Sequence, residues 1–389
     1  MTDFREHPDP IRFNVPGVEG HELAYLEQAL GEGHTASSGP FSARAGAALR
    51  EESGAEDVLL TTSCTAALEL TALMLDLQPG DTVVVPSFTF STSALAFAGR
   101  GARLIFCDIE PTTLGLDPRH LAEVLDDSVR AVVVVHYAGV ACDIEGVQKV
   151  LAGRPDVVLI EDNAHGLFGR WRGEPLGSFG HFATLSFHET KNITCGEGGA
   201  LLVNDPAMVD RARILYDKGT NRRAFFLGQV DKYSWVDTGS SFGLADLLAA
   251  PLAAQLEVAA QIQAKRRRVY ETYLEALAPS QELGVTLPTV PEGCDPAYHL
   301  FHVLMPDRAT RDTVMEQMRQ EGINPTFHYV PLHSSIGGRR FAARETDCPV
   351  STDVGDRLMR MPFYNALTEG QVARVVDSFG RAMRATPTS

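Results

Sequence analysis

The chain has 389 residues, 44% of them hydrophobic and 22% charged, and a formal net charge of -16. That acidic balance excludes a general binder of phosphate backbones, so nucleic acid is not an expected partner. No run of roughly 18 apolar residues occurs, which argues against a membrane span, and the length suits two or three compact units or one large α/β domain with a satellite.

Residues 1–16 are charged and proline-rich, with no signal-peptide hydrophobic region. Six scattered cysteines form no CxxC pair, so reduced thiols in a cytoplasmic chain are expected. Residues 1–57 read as an approach segment. It holds a helix over 22–30, a small-residue loop through Gly31, Gly33, Ser37, Ser38 and Gly39, and a second helix over 42–52.

From Asp57 onward the pattern alternates. Short apolar strands are predicted at 58–61, 82–85, 103–107, 131–135 and 157–160, with helices at 66–77 and 91–98 between the first of them. Strands alternating with helices imply a mostly parallel sheet covered on both faces. Two further strands are predicted, one ending at Ser186 and one at 200–203, and then a helix over 206–217. Residues 218–241 have no clear period, and a loop of that length is usually functional or disordered; its aromatics favour function. A long helical pattern at 244–278, interrupted by Pro251, carries the expected division between a large domain (1–255) and a smaller α+β domain (256–389). The latter has predicted strands at 300–305 and 323–329 and helices at 310–321 and 369–382.

No GxGxxG, Gly-Lys dipeptide or HExxH is present, which excludes the common dinucleotide, P-loop and zinc-protease motifs. His328 and His333 flank Pro331, which breaks helical spacing, so no metal is expected there. Asn192-Ile193-Thr194 is a glycosylation sequon by pattern only.

The chemistry converges on residues 181–203. An apolar strand ends in Ser186, a polar turn follows with His188 and Lys191, and a glycine-rich turn leads into the next strand. A lysine held among buried strands can have a depressed pKa and act as Schiff-base former or general base, although most lysines are surface charges. Three other features accompany it. The first predicted strand opens into a helix at Ser63-Cys64-Thr65-Ala66, where free N–H groups can bind phosphate or an ordinary N-cap can sit. The strand over 157–160 runs into Glu161-Asp162, a carboxylate at a ligand-binding strand end or a helix cap. Phe90 is either a ring-stacking residue or core. Together with Lys191 these describe a pyridoxal phosphate site better than that of any other single cofactor.

The chain resembles the DegT-type sugar aminotransferases, pyridoxal-phosphate enzymes of the aspartate aminotransferase fold (fold type I). The matching segments run almost end to end. They include Phe13-Asn14-Val15-Pro16, Thr62-Ser63-Cys64-Thr65-Ala66-Ala67-Leu68-Glu69, Pro86-Ser87-Phe88-Thr89-Phe90 and His136-Tyr137-Ala138-Gly139-Val140-Ala141-Cys142. Glu161-Asp162, Ser186-Phe187-His188-Glu189-Thr190-Lys191-Asn192 and Phe327-His328-Tyr329-Val330-Pro331-Leu332-His333 complete the set.

The resemblance implies that Lys191 bonds the cofactor aldehyde, Asp162 holds the pyridine nitrogen and Phe90 stacks on the ring. It further implies phosphate contacts from Thr65, Ala66 and Ser186, with His165 beside the cofactor. Asn221, Arg222, Lys232 and Tyr233 in the long loop resemble the subgroup acting on dTDP sugars, and His328, Tyr329 and His333 are candidates for the sugar side. The implied activity moves an amino group from glutamate to C4 of dTDP-4-keto-6-deoxyglucose, giving dTDP-4-amino-4,6-dideoxygalactose for polysaccharide or lipopolysaccharide synthesis. Another nucleotide keto sugar (C3, or UDP- or GDP-linked) and a non-catalytic cofactor-binding regulator are the alternatives. A homodimer with shared sites is implied too.

Departures from the family pattern are Asn163, where many members have alanine, and Gly243, where others place an asparagine that reaches the neighbouring subunit's phosphate. Lyases of the family replace the lysine by histidine; the retained Lys191 favours transamination over dehydration.

Overall fold

Seven strands form the central sheet of the computed structural model, which describes residues 7–386. They are β1 (Asp57–Thr61), β2 (Thr82–Pro86), β3 (Arg103–Cys107), β4 (Val129–Val135), β5 (Val158–Asp162), β6 (Phe182–Ser186) and β7 (Gly199–Val203), ordered β1-β7-β6-β5-β4-β2-β3. All neighbours are parallel except β7, which runs antiparallel to both β1 and β6.

The sequence explains why the sheet is covered twice. Val83 and Val85 pack with Leu68, Leu70 and Phe97 on one face, while Val84 packs with Leu121, Ile144 and Val147 on the other. Side chains alternate along a strand, so an unbroken apolar run must find a layer on each side. The result is the α/β, fold-type-I architecture expected.

A second layer system is built from the C-terminal residues. Strands β8 (His302–Leu304), β9 (Thr326–Phe327) and β10 (Leu358–Arg360) form an antiparallel sheet with β10 in the middle. Phe301, Val303 and Met359 pack there against Tyr273, Val314, Met318 and Phe379 of the covering helices. Ile11 joins this core from the other end of the chain. It pairs with Ile323, its N–H donates to the Gly322 carbonyl at 2.8 Å, and its carbonyl accepts from Asn324 at 3.0 Å.

Several elements differ from expectation. The 244–278 pattern is two helices, Asp246–Glu257 and Ala259–Leu277, broken at Val258 and continuous through Pro251. The first packs on helices Glu22–Glu32 and Pro40–Ser53 and the second on helix Glu369–Ala385, so tertiary demand, not the proline, sets the break. The strand expected at 323–329 shrinks to Thr326–Phe327. Helices Pro118–Val124, Ile144–Leu151, Ile336–Phe341 and Pro349–Arg357 were not predicted, and the long loop contains a short helix, Arg222–Phe226. Among the described residues no helix is long and apolar enough to cross a membrane. The first six residues of the charged stretch 1–16 lie outside the described residues.

Candidate active site

The parallel strands β5 and β6 end side by side, with Asp162 paired to Thr184. Ligands bind at such carboxyl edges because the chain leaves the sheet there in loops free to diverge. A cavity of about 420 Å³ opens at this edge, and Asp162, Ser186, Lys191, Thr65, Phe90 and His165 all line it. The tight turn after β6 is closed by the Lys191 N–H donating to the His188 carbonyl at 2.9 Å. Six residues brought out by sequence thus meet in one place.

Asp162 is buried and accepts from the Ser93 hydroxyl at 2.6 Å and from the Ala164 N–H at 3.2 Å. No helix follows it, since residues 163–169 form turns, so the cap alternative fails. Burial pushes its carboxyl above the ordinary value, opposed by Ser93, the Ala164 N–H and Lys191. Lys191 moves the other way. Burial lowers its ammonium from 10.5 to about 8, Arg360 adds to the shift, and Asp162 resists it. A surface lysine would be almost wholly charged near neutrality; this one carries a usable fraction of free amine.

That gives a pH prediction. Only the neutral amine attacks an aldehyde, and neutral Lys191 accumulates as pH rises through the folded value. The apo protein should therefore capture pyridoxal phosphate faster as pH rises across about 8, read by stopped-flow absorbance. A rate flat between about pH 7 and 9 would show that Lys191 is not the depressed amine.

At the other end of the cavity, Ser63 caps helix Cys64–Met74, and its hydroxyl accepts the Ala66 N–H at 3.0 Å. Ala66 is thus held by the cap, so the expected phosphate donor there is engaged within the chain. The first-turn N–H groups of Cys64 and Thr65 have no helical carbonyl before them, and both residues line the cavity. Gly199 allows this approach: a Cβ there would lie 2.4 Å from the Cys64 nitrogen.

His165 forms one wall. Its ring stacks on His299 at 4.2 Å between centroids, and its Nδ1 accepts the Ala138 N–H at 3.3 Å. His299 is fixed by Asn192 at 2.9 Å, and His328 by the Tyr137 hydroxyl at 2.9 Å. Burial holds His165, His299 and His328 well below the ordinary imidazole value, so the wall is neutral. Phe90 is 57% exposed at the cavity, with Tyr329 at 6.2 Å, and is not a core residue.

The remaining predicted residues lie elsewhere. His333 bonds Ser87 at 2.6 Å and does not line the cavity. Neither do Asn221, Arg222, Lys232 and Tyr233. The Asn221 side chain caps the Ser234 N–H at 2.7 Å, Arg222 lies over the Phe226 ring, and Tyr233 packs on Phe225. Arg222 instead borders a second cavity of about 650 Å³ with Lys218, Arg223 and Gly243, beside β1. Gly243 sits so close to Ser37 that an added Cβ would fall 2.6 Å from the Ser37 Cβ. Asn163 donates to the Leu176 carbonyl at 2.7 Å and faces that turn. Among the described residues no group of three or more His, Cys, Asp or Glu could hold a metal ion.

Sequence reasoning missed Arg360, His299, Ser93 and the direct role of Phe13 and Asn14 in lining the cavity. Phe13 and Asn14 stood in a matching segment; the others carry no local motif.

The donor set fits pyridoxal phosphate. It offers one amine for the aldehyde, one buried carboxylate for a ring nitrogen, a helix N-terminus with Ser186 for phosphate, and aromatic walls for a flat ring.

Residues 17–380 match the DegT/DnrJ/EryC1/StrS aminotransferase family. The chain is 32% identical over 337 residues to dTDP-4-dehydro-2,3,6-trideoxy-D-glucose 4-aminotransferase of Saccharopolyspora spinosa, covering 84% of this chain and 85% of that protein. Among solved structures it is similar to the aminotransferase TlmJ from Streptoalloteichus hindustanus, with a TM-score of 0.89 at 28% identity over 97% of this chain and 100% of the other. It is also similar to the sugar aminotransferase CalS13 from Micromonospora echinospora, with a TM-score of 0.86 at 25% identity over 95% and 99%.

Proposed function

Because the chain belongs to the DegT/DnrJ/EryC1/StrS aminotransferase family, we propose that it moves an amino group from glutamate to C4 of a dTDP-linked 4-keto sugar. It is a pyridoxal-phosphate-dependent sugar transaminase. The finer reading is dTDP-4-keto-6-deoxyglucose as acceptor and dTDP-4-amino-4,6-dideoxygalactose as product, made in the cytoplasm by a homodimer. The nucleotide and the C4 position are supported by the activity for which the S. spinosa relative is named. The observation that carries the chemistry is the half-buried Lys191, its ammonium lowered to about 8, in one cavity with Asp162.

Pyridoxal phosphate, when bound, supplies an aldehyde that takes up the amino group and a protonated ring that draws electrons from the donor Cα. The residues divide the remaining work. Asp162, held by Ser93 and Ala164, would hold the ring nitrogen in its protonated form, since the opposite charge there would favour the carboxylate. Lys191 Nζ would be the base that takes the proton from the donor Cα and returns it two atoms along, on the carbon that had been the aldehyde's, which a neutral amine shielded from water can do. The neutral histidine wall and Phe90 orient the ring and exclude water. The same residues then act in reverse on the keto sugar.

Incubating the purified protein with glutamate and a panel of dTDP-, UDP- and GDP-linked keto sugars, and assigning the amine position and stereochemistry by NMR, tests this reading. An amine at C3 or a preference for another nucleotide replaces the acceptor; no amine from any sugar removes the reading.

The loop belongs to the same proposal. Arg222 and Lys232 do not reach their own chain's cavity, and Phe226 and Trp235 beside them are 69% and 80% exposed. A second subunit covering those side chains would bring the loop to the partner's site. Arginine there grips diphosphate oxygens in pairs. Arg222→Ala should then raise the KM for the sugar nucleotide roughly ten- to a hundredfold and leave the glutamate half-reaction near normal. Unchanged KM in both Arg222→Ala and Lys232→Ala would return the loop to scaffolding.

A further inference from the structure

The residue after Lys191 is buried, and its side chain bonds to residues outside its own turn. Asn192 Nδ2 donates to the Ala297 carbonyl at 2.6 Å and to Gln263 Oε1 at 3.2 Å. Gln263 Nε2 donates to the same carbonyl at 3.2 Å, closing a small ring of bonds. Asn192 Oδ1 then meets His299 Nδ1 at 2.9 Å, so His299 must carry its proton on that nitrogen. So enclosed an asparagine is shut off from glycosylation, and its amide has a different use. Segment 297–299, to which it is tied, is itself held at a cost. Tyr298 has a φ of 50°, the left-handed conformation that a bulky residue rarely adopts. Arg266, buried in helix Ala259–Leu277, donates to the Tyr298 carbonyl at 2.8 Å and to the His299 carbonyl. The Ala297 N–H donates to the Gly139 carbonyl at 2.9 Å, and the His299 N–H to the Ala138 carbonyl at 3.2 Å. Strained backbone persists only where its surroundings over-determine it, and such strain gathers at functional sites.

We propose that Asn192 is a positioning residue: by tying the Lys191 turn to segment 297–299, it sets where the Lys191 amine stands in the cavity. The inference rests on Lys191 being the reactive amine. Burial is the main cause of its lowered value, so the neutral fraction depends on how well the amine is kept from water. A lysine stem is long and flexible, and its ammonium reaches solvent readily once the backbone beneath it shifts. Lys191 is only half-buried, so a small movement of the turn suffices. The amide one residue along prevents that movement by bonding a segment that cannot itself give way. His299, the far partner, stacks on His165 and lines the same cavity, so one bond registers the lysine turn against the histidine wall.

The test reads the pH at which the full-length apo protein reaches half its maximal rate of pyridoxal phosphate capture, by stopped-flow absorbance. Wild type should show that midpoint near about 8. Asn192→Ala should raise it by at least about one pH unit, toward the ordinary 10.5. His299→Phe keeps a flat ring against His165 but loses the donor, and should also raise it. His299→Asn keeps a donor near the Nδ1 position and should stay within about half a pH unit of wild type. The double variant of Asn192→Ala with His299→Phe should match Asn192→Ala alone, because that change already severs the bond. The two single variants cut one bond from opposite sides, so if one fails to fold the other decides. An unmoved midpoint beside a wild-type value near about 8, even with lower resistance to urea, would make the knot mere packing and overturn the proposal. Additive shifts in the double variant, or a His299→Asn shift as large as that of His299→Phe, would overturn it too. A wild-type rate flat with pH would remove the reading of Lys191 and this proposal with it.

Discussion

Lys191→Ala is expected to lose at least about four orders of magnitude in turnover while still binding pyridoxamine phosphate. The loss follows from removing the one cavity amine that can bond the aldehyde and carry the proton. Binding survives because the helix N-terminus, Ser186 and Asp162 are untouched. Retained turnover would overturn the assignment of Lys191.

The same residue predicts a stability effect of opposite sign. Burial lowers the ammonium from 10.5 to about 8, so the folded apo protein binds this proton less tightly than the unfolded chain does. The cost is full below the folded value and vanishes as pH rises toward the unfolded one. Lys191→Met, which keeps the apolar stem, should therefore stabilise the apo protein near pH 7 by up to ~3 kcal/mol and gain little near pH 10.5. Urea titrations at the two pH values check it. A methionine variant weaker than wild type near neutrality would mean that the amine is not held at a cost.

Asp162→Asn carries the second large effect. The change keeps the shape and the Ser93 and Ala164 contacts within reach, and removes the charge that holds a proton on the ring nitrogen. Turnover should fall about a thousandfold, roughly 4 kcal/mol, with cofactor content little altered. A fall smaller than about tenfold would reduce Asp162 to a strand-end brace. Ser93→Ala, which loses one charge-assisted bond, should cost about tenfold and so rank between wild type and Asp162→Asn.

The sequence announced the sheet because parallel strands buried on both faces read as short apolar runs. Residues 103–107 and 199–203 needed no tertiary information to be found. Lys191, Asp162, Ser186 and Thr65 were legible for a related reason: each lies at the end of a strand, in the turn just after one, or at the start of a helix, positions marked locally. Arg360, His299 and Ser93 were not. Arg360 and His299 reach the cavity from a strand and a loop late in the chain, brought there by the packing of the C-terminal sheet, and Ser93 acts from a helix through its bond to Asp162. The break at Val258 was hidden because Pro251 looked like the stronger interruption, yet helix Asp246–Glu257 absorbs it.

The pairing of Ile11 with Ile323 also constrains the order in which the chain can fold. As the polypeptide emerges from the ribosome, residues 57–203 hold every strand of the large sheet and can collapse early. Ile11 has to wait until more than three hundred later residues have been made before its partner exists. Closing that long loop costs entropy, and repayment comes only with the whole small-domain core. Phe13, carried on the waiting segment, reaches Arg360 at the same late moment. The cavity is completed only then, so a half-made chain presents Lys191 without the surroundings that make it reactive.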